Sequence, residues 1–273
     1  MDYTTIIFSP VNPQQSEIII AELSDFNFNG FEESGDELKA YIGNDYFNEA
    51  VNEAILNLQI PFKTEVASEI NWNEQWEKNF EPVLIPDLKG NKNYCFIRAT
   101  FHKPVNALHE IIITPKMSFG TGHHATTFMM VQQMSKLDFK NKTVADFGTG
   151  TGILAIFAEK LGAQRVTAND NDPWCIENSK ENFSVNDCNK IEIILSEKFP
   201  QGKYDVVLAN INLNIIISNI DELINGCNEN GNIILSGMLA DDIPTISNKL
   251  NKFNLKEVEI TQKNNWISVM IKK

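Results

Sequence analysis

Asp146-Phe147-Gly148-Thr149-Gly150-Thr151-Gly152-Ile153-Leu154 is a turn between a strand and a helix. Apolar residues Thr143-Val144-Ala145 lead into it, and a helical run from Ile153 to Lys160 follows. Glycines at 148, 150 and 152 allow a tight turn and a close approach of backbone to a ligand, where a Cβ would collide. The helix N-terminus behind them offers unpaired N–H groups. A strand, a glycine turn and a helix in this order form the nucleotide-binding corner of an open α/β sheet, although a glycine-rich run alone also suits an ordinary turn.

The spacing narrows the ligand. A dinucleotide fingerprint reads G-x-G-x-x-G, with its third glycine at the helix–strand contact. Here the spacing is G-x-G-x-G, and Ile153 stands where that glycine belongs. Asp146 is a poor neighbour for a pyrophosphate and a good one for a cationic amino-acid end. S-adenosylmethionine (SAM), which carries a sulfonium and an ammonium and no phosphate, fits the turn better than NAD.

Outward from the turn, helix and strand alternate. A helix over 126–137 precedes strands at 143–147, 165–169, 191–195, 205–209 and 232–236, with helical segments between them. Strands over 255–261 and 266–271 are joined by Lys263-Asn264-Asn265 and are antiparallel to each other. The expected architecture is a Rossmann-like parallel sheet covered on both faces, with a reversed strand at one end. This is the layout of class I SAM-dependent methyltransferases.

The first seventy residues read as β-α-β-β-α-β, an α+β ferredoxin-like unit. Strands are expected over 4–8, 28–33, 37–42 and 62–70. The first helix opens at Asn12, Pro13 and Ser16; the second, capped by Asn44 or Asp45, carries Phe47, Val51, Ala54, Ile55 and Leu58 at helical spacing. Trp72, Trp76 and Phe80 then recur every four residues, predicting a short connecting helix over 71–80. Strands at 94–100 and 110–114 precede the nucleotide domain. The expected division is a ferredoxin-like domain over 1–70, whose fold alone names no partner, a linker over 71–92 and a domain of the methyltransferase layout over 93–273.

Composition excludes several classes. The net charge of -13 opposes a nucleic-acid-binding surface and suits either plain solubility or a cationic protein partner. Cys95, Cys175, Cys188 and Cys227 form no C-x-x-C pair, so neither zinc nor a disulfide framework is expected. The N-terminus has no leader pattern and no apolar stretch reaches spanning length, so a cytoplasmic protein without membrane contact is expected.

Ligands bind such sheets at the carboxyl ends of strands. Asp170, about twenty positions past the glycine turn, is the expected acceptor for ribose hydroxyls, and Asp172 beside Pro173 is a helix cap. Asn210, ending the fourth strand, can accept a hydrogen bond from an amine. The segment Ser118 to Thr127 reads as a loop closing over the cofactor, with Thr127 donating from the next helix. Its two histidines lack a third ligand at metal-binding spacing.

Phe119-Gly120-Thr121-Gly122-His123 with Thr126-Thr127, then Asp146 to Ile156, Asp170 and Leu208-Ala209-Asn210-Ile211, resemble the PrmA family from end to end. That family methylates ribosomal protein L11, the small domain recognising the target. The resemblance implies SAM contacts at Thr127, Gly148, Asp170 and Asn210, with Phe119 and Gly150 as further candidates. No catalytic residue is firmly assigned; Asn210, placed where an acceptor should meet the sulfonium, is expected to orient the amine, and an N-terminal α-amine or lysine ε-amines are the expected acceptors. A monomer that does not bind nucleic acid directly is expected. Asn71, His124 and Asn212 depart from the family's usual Asp, Pro and apolar residue, and Asn212 bears on substrate positioning. Alternatives are a lysine methyltransferase for another small protein and a non-catalytic SAM-binding protein of the ribosome. A base methyltransferase is disfavoured, because Asn210-Ile211-Asn212-Leu213 lacks the prolines and aromatic ring that hold a flipped base.

Overall fold

The computed structural model describes residues 3–23, 26–67, 80–114, 116 and 118–273. The chain divides into two units, Met1–Lys78 and Asn79–Lys273. The first runs β1 (Tyr3–Phe8), α1 (Pro13–Leu23), β2 (Phe28–Ser34), β3 (Glu37–Gly43), α2 (Glu49–Asn57) and β4 (Phe62–Ala67). Its antiparallel sheet has the order β2-β3-β1-β4, the split βαβ arrangement. Alternate residues Ile6, Phe8, Leu38, Ala40 and Ile42 pack with Ile19, Leu23, Val51 and Ile55 of the two helices.

Helix α1 starts with a reciprocal pair. Gln15 N–H donates to Asn12 Oδ1 (2.9 Å) and Asn12 N–H to Gln15 Oε1 (3.0 Å), which satisfies two end donors. Helix α2 starts later than the sequence suggests. Its cap is Asn48, which accepts from Val51 N–H. Asn44 is drawn away, accepting from Thr4 Oγ1 at 2.8 Å. Tyr46 and Phe47 N–H both donate to the Gly43 carbonyl, so Phe47 lies in a turn ahead of the helix. The expected helix with Trp72 and Trp76, and the end of the strand over 62–70, lie outside the described residues.

The second unit opens with a small sheet of order β5-β6-β7: β5 (Val83–Ile85), β6 (Cys95–Arg98) and β7 (His109–Ile112). Strand β5 is absent from the sequence reading because three residues between Pro82 and Pro86 carry no periodicity. The remaining elements are α3 (Ala125–Met134), β8 (Thr143–Phe147), α4 (Ile153–Lys160), β9 (Arg165–Asp170), α5 (Pro173–Val185), β10 (Ile191–Leu195), β11 (Tyr204–Asn210), α6 (Leu213–Gly226), β12 (Cys227–Leu239), α7 (Ile243–Leu250), β13 (Glu257–Lys263) and β14 (Trp266–Lys272).

They form a Rossmann-like seven-stranded sheet of order β10-β9-β8-β11-β12-β14-β13. Strand order reverses between β8 and β11, and this switch point is where the site lies. One face packs Ile153, Leu154, Ile156 and Phe157 of α4 and Phe183 of α5. The other packs Ile216, Ile220 and Leu223 of α6 with Ile246 and Leu250 of α7.

Three expectations change. The reversed strand is β14, and it lies one place in from the edge, antiparallel to both β12 and β13. Its alternate residues Ile267, Val269 and Ile271 are fully buried, whereas the polar β13 takes the exposed edge. No helix separates β10 from β11, since residues 196–203 make turns only. Strand β12 begins at Cys227 rather than Asn232; its start, Asn228-Glu229-Asn230, is polar and includes a left-handed residue, Asn230 at φ +63°, so it gives no strand signal in the sequence.

Candidate functional site

A cavity of about 770 Å³ opens at the carboxyl ends of β8, β9 and β11. That is the volume of a small-molecule site. Its walls include Phe119, Gly148, Gly150, Asp170, Asn210 and Trp266.

The turn after β8 is tied to β9: Gly148 and Thr149 N–H both donate to the Asn169 carbonyl, at 3.0 and 2.9 Å. Gly148 and Gly150 have φ of +73° and +55°. A Cβ at Gly148 would come within 2.3 Å of the Ile211 side chain, and one at Gly150 within 2.3 Å of the Phe119 carbonyl oxygen. The sequence suggested glycines that clear room for a ligand. In the structure the chain's own atoms already occupy that space.

The Phe119 segment is correspondingly a wall of the cavity and not a free flap. Thr151 N–H donates to Phe119 O (3.0 Å), and Thr151 Oγ1 donates to Gly120 O (2.7 Å). Phe119 itself is half exposed and lines the cavity. The two histidines diverge. His123 packs edge-on to Phe80, whereas His124 contacts Phe119 and Trp266, with ring centroids 5.2 and 4.6 Å away. His124 also caps α3 and pairs with Thr126 Oγ1 at 2.8 Å. Burial lowers its pKa, which favours a neutral imidazole.

Asp146 is not in the cavity wall where the sequence placed a carboxylate for a cationic group. It lies beneath the turn, 1% exposed. Its Oδ2 accepts from Thr149 Oγ1 at 2.6 Å, and Oδ1 has no hydrogen-bond partner among the described residues. Burial pushes its pKa up to about 7; the Thr149 hydroxyl and the Ala155 N–H pull the other way, and the Asp170 charge adds to the rise. Asp170 does line the cavity. It accepts from Gly150 N–H at 2.9 Å and from Asp172 N–H at 3.1 Å, one bond to each carboxylate oxygen. A lone pair on each oxygen stays free for a donor. Asp172 caps α5 through Trp174 N–H (2.9 Å).

Asn210 ends β11 and faces the cavity. Its Nδ2 donates to Thr127 Oγ1 at 3.3 Å, while its buried Oδ1 has no partner among the described residues. Thr127 is fully buried and is not among the lining residues, so it holds Asn210 and does not itself border the cavity. Asn212 lines the cavity and caps α6, accepting from Ile215 N–H at 3.1 Å. Gly237, at a bulge in β12, and Trp266 also line the cavity. The sequence reading missed both. A glycine inside an otherwise apolar strand was the available signal for the first.

The buried acceptors Asp146 Oδ1, Asn169 Oδ1 and Asn210 Oδ1 lack donors at the ends of three strands adjacent in the sheet. Of these, Asn169 and Asn210 line the cavity, and their acceptors suit a ligand with N–H or O–H groups, whereas Asp146 lies beneath the turn.

Comparisons with known proteins agree with this layout. A family model described as "Ribosomal protein L11 methyltransferase (PrmA)" matches residues 14–273. The protein of that name from Phocaeicola vulgatus is 36% identical over 282 aligned residues, covering 98% of this chain and 98% of the relative. That of Porphyromonas gingivalis is 37% identical over 265, covering 93% and 89%. The crystal structure of ribosomal protein L11 methylase from Lactobacillus delbrueckii subsp. bulgaricus superposes with a TM-score of 0.61 at 30% identity, covering 66% of this chain and 95% of that one.

Proposed function

The chain belongs to the ribosomal protein L11 methyltransferase (PrmA) family, and from that premise we propose that it methylates amino groups of L11, with Asn210 orienting the accepting amine. It is a SAM-dependent methyltransferase, with S-adenosylmethionine as methyl donor. When bound, SAM supplies a methyl carbon activated by its sulfonium.

The residues present fit that cofactor. Asp170 offers two free lone pairs to hydroxyl donors, the glycine turn borders the cavity, and the Asn169 and Asn210 acceptors await donors. Thr127, Gly148, Asp170 and Asn210 are the proposed cofactor-binding group, Thr127 acting through Asn210.

The observation that carries the role of Asn210 is the division of its amide. Nδ2 donates to Thr127, and Oδ1 is a buried acceptor with no partner among the described residues. Accepting one N–H of a neutral amine there orients the nitrogen lone pair, and near-attack placement supplies the rate. The proton lost on amine deprotonation passes to water. At pH 7, a lysine costs about 4.6 kcal/mol to deprotonate and an α-amino group about 1–1.4 kcal/mol. The N-terminal amine is the easier acceptor, and a lysine needs a desolvating pocket. The first unit is proposed to recognise L11, and the -13 charge supports a cationic protein target over nucleic acid. The four free cysteines suit the reducing cytoplasm.

The test is to incubate the purified protein with SAM and recombinant L11 and locate added methyls by peptide mass spectrometry. Methylation of the N-terminal amine is expected first. An L11 of unchanged mass would remove the substrate assignment. Asn210→Ala should lower kcat roughly 10²-fold or more, as loss of a preorganised polar contact does; unaltered kcat would remove its orienting role.

A further inference from the structure

Helix α5 carries Asn178 and Asn182, and Asn186 is its C-cap; the three are spaced four residues apart and so lie on one face. All three are at least nine-tenths buried. They meet strand β7 and its continuation, where alternate residues turn their N–H and C=O to the same side. Asn186 closes two bonds with Ile112, accepting its N–H at 2.9 Å and donating to its carbonyl at 2.6 Å. Asn178 donates to Thr114 O at 3.4 Å. The side chains of α5 and its cap thereby bond the outer edge of β7 and its continuation, which has no neighbouring strand among the described residues.

Asn182 does something the other two do not. Its Oδ1 accepts from Thr114 N–H (2.8 Å), while its Nδ2 donates to Thr151 O (2.8 Å) inside the glycine turn. Thr151 in turn holds Phe119 and Gly120. Thr114 and the Phe119–Gly120 wall are thus both tied to the glycine turn, Thr114 through Asn182. A side chain in this position needs a donor and an acceptor on a short stem; Asp lacks the donor and Leu lacks both.

We infer that Asn182 is a positioning residue that sets the affinity for SAM, by fixing the glycine turn and the Phe119 wall at one separation. This inference rests on the SAM site described above. It is tested by calorimetric titration of SAM into the full chain, comparing wild type, Asn182→Leu and Asn186→Leu. Asn186→Leu removes buried bonds from the same helix face without touching the turn, so it reports folding alone. The expected result is that Asn182→Leu weakens SAM binding about tenfold or more, equivalent to roughly 1.4 kcal/mol, with the KM for L11 unchanged. Asn186→Leu lowers Tm but keeps the wild-type affinity. Wild-type affinity in Asn182→Leu, or equal weakening in both variants, overturns the inference. Should Asn182→Leu be recovered unfolded, Asn182→Ser against Asn186→Ser carries the same contrast. Because the readout is SAM affinity, failure of the wild type to methylate L11 would strike the substrate assignment and leave this inference intact.

Discussion

Asp146 and Asp205 stand on neighbouring parallel strands at opposite ends of one sheet, and their surroundings could hardly differ more. Asp205, at the amino end of β11, accepts from Thr143 N–H (2.9 Å), Thr143 Oγ1 (3.1 Å) and Asn228 Nδ2 (3.1 Å). Burial disfavours its charge, yet those bonds and the Lys142 charge outweigh it and lower its pKa. Asp146, at the carboxyl end of β8, has one side-chain bond, an unpartnered oxygen and a pKa raised to about 7. One end of the sheet is closed by the protein's own bonds; the other is left chemically incomplete, and there the cavity opens.

The largest effect should come from neutralising the strained carboxylate. The folded pKa of Asp146 lies above its unfolded value of 3.8, so the unfolded chain releases its proton first and stability falls as pH rises from about 4 to about 7. Asp146→Asn should therefore be more stable than wild type at pH 8, by up to about 4 kcal/mol, with the difference vanishing toward pH 4. Urea denaturation of the SAM-free protein at both pH values checks this, and a variant weaker than wild type at pH 8 would break the contrast between the two ends.

Gly150→Ala at the open end comes next. The left-handed backbone costs about 1–2 kcal/mol, and the new Cβ would overlap the Phe119 carbonyl. The turn or the wall must shift, so SAM affinity should fall roughly 10²-fold, or about 2.7 kcal/mol, by calorimetry. At the closed end, Asp205→Asn should cost only about 1–2 kcal/mol at pH 7, since solvent screens a partly exposed carboxylate. The sign is opposite to that of Asp146. The folded pKa is depressed, so the contribution is present above the unfolded value and is lost as pH falls through the folded one. SAM affinity should not change. Asn212→Ala is the smallest. Losing the α6 cap should lower stability by about 1 kcal/mol, read as a Tm shift.

The sequence made strands β8 and β10 and helix α4 legible to the residue, because contiguous apolar runs between turn residues are local facts. It misread the start of α2. Asn44, Asp45 and Asn48 are all competent caps, and a hydroxyl forty residues away, on Thr4, took one of them. Asp170 and Asn210 were legible as candidates because both end strands at a switch point, and both line the cavity. Asn182 and Trp266 were not, since nothing near them in the chain signals the cavity or the turn, and Gly237 offered only the weak signal of a glycine inside an apolar strand. The role of Thr127 shifted for a related reason: its hydroxyl meets Asn210, eighty-three residues on, rather than the cavity.

By itself the sequence determined the α/β architecture, the ferredoxin-like unit before it, the glycine turn and the cofactor class. These follow from periodicity, turn chemistry and spacing, which act over a few residues. Only the tertiary structure decided which polar atoms would be satisfied. A carboxylate on β8 and another on β11 are the same group in sequence. Which one is bonded and which is left buried and wanting depends on the backbone and side chains that long-range folding brings beside it.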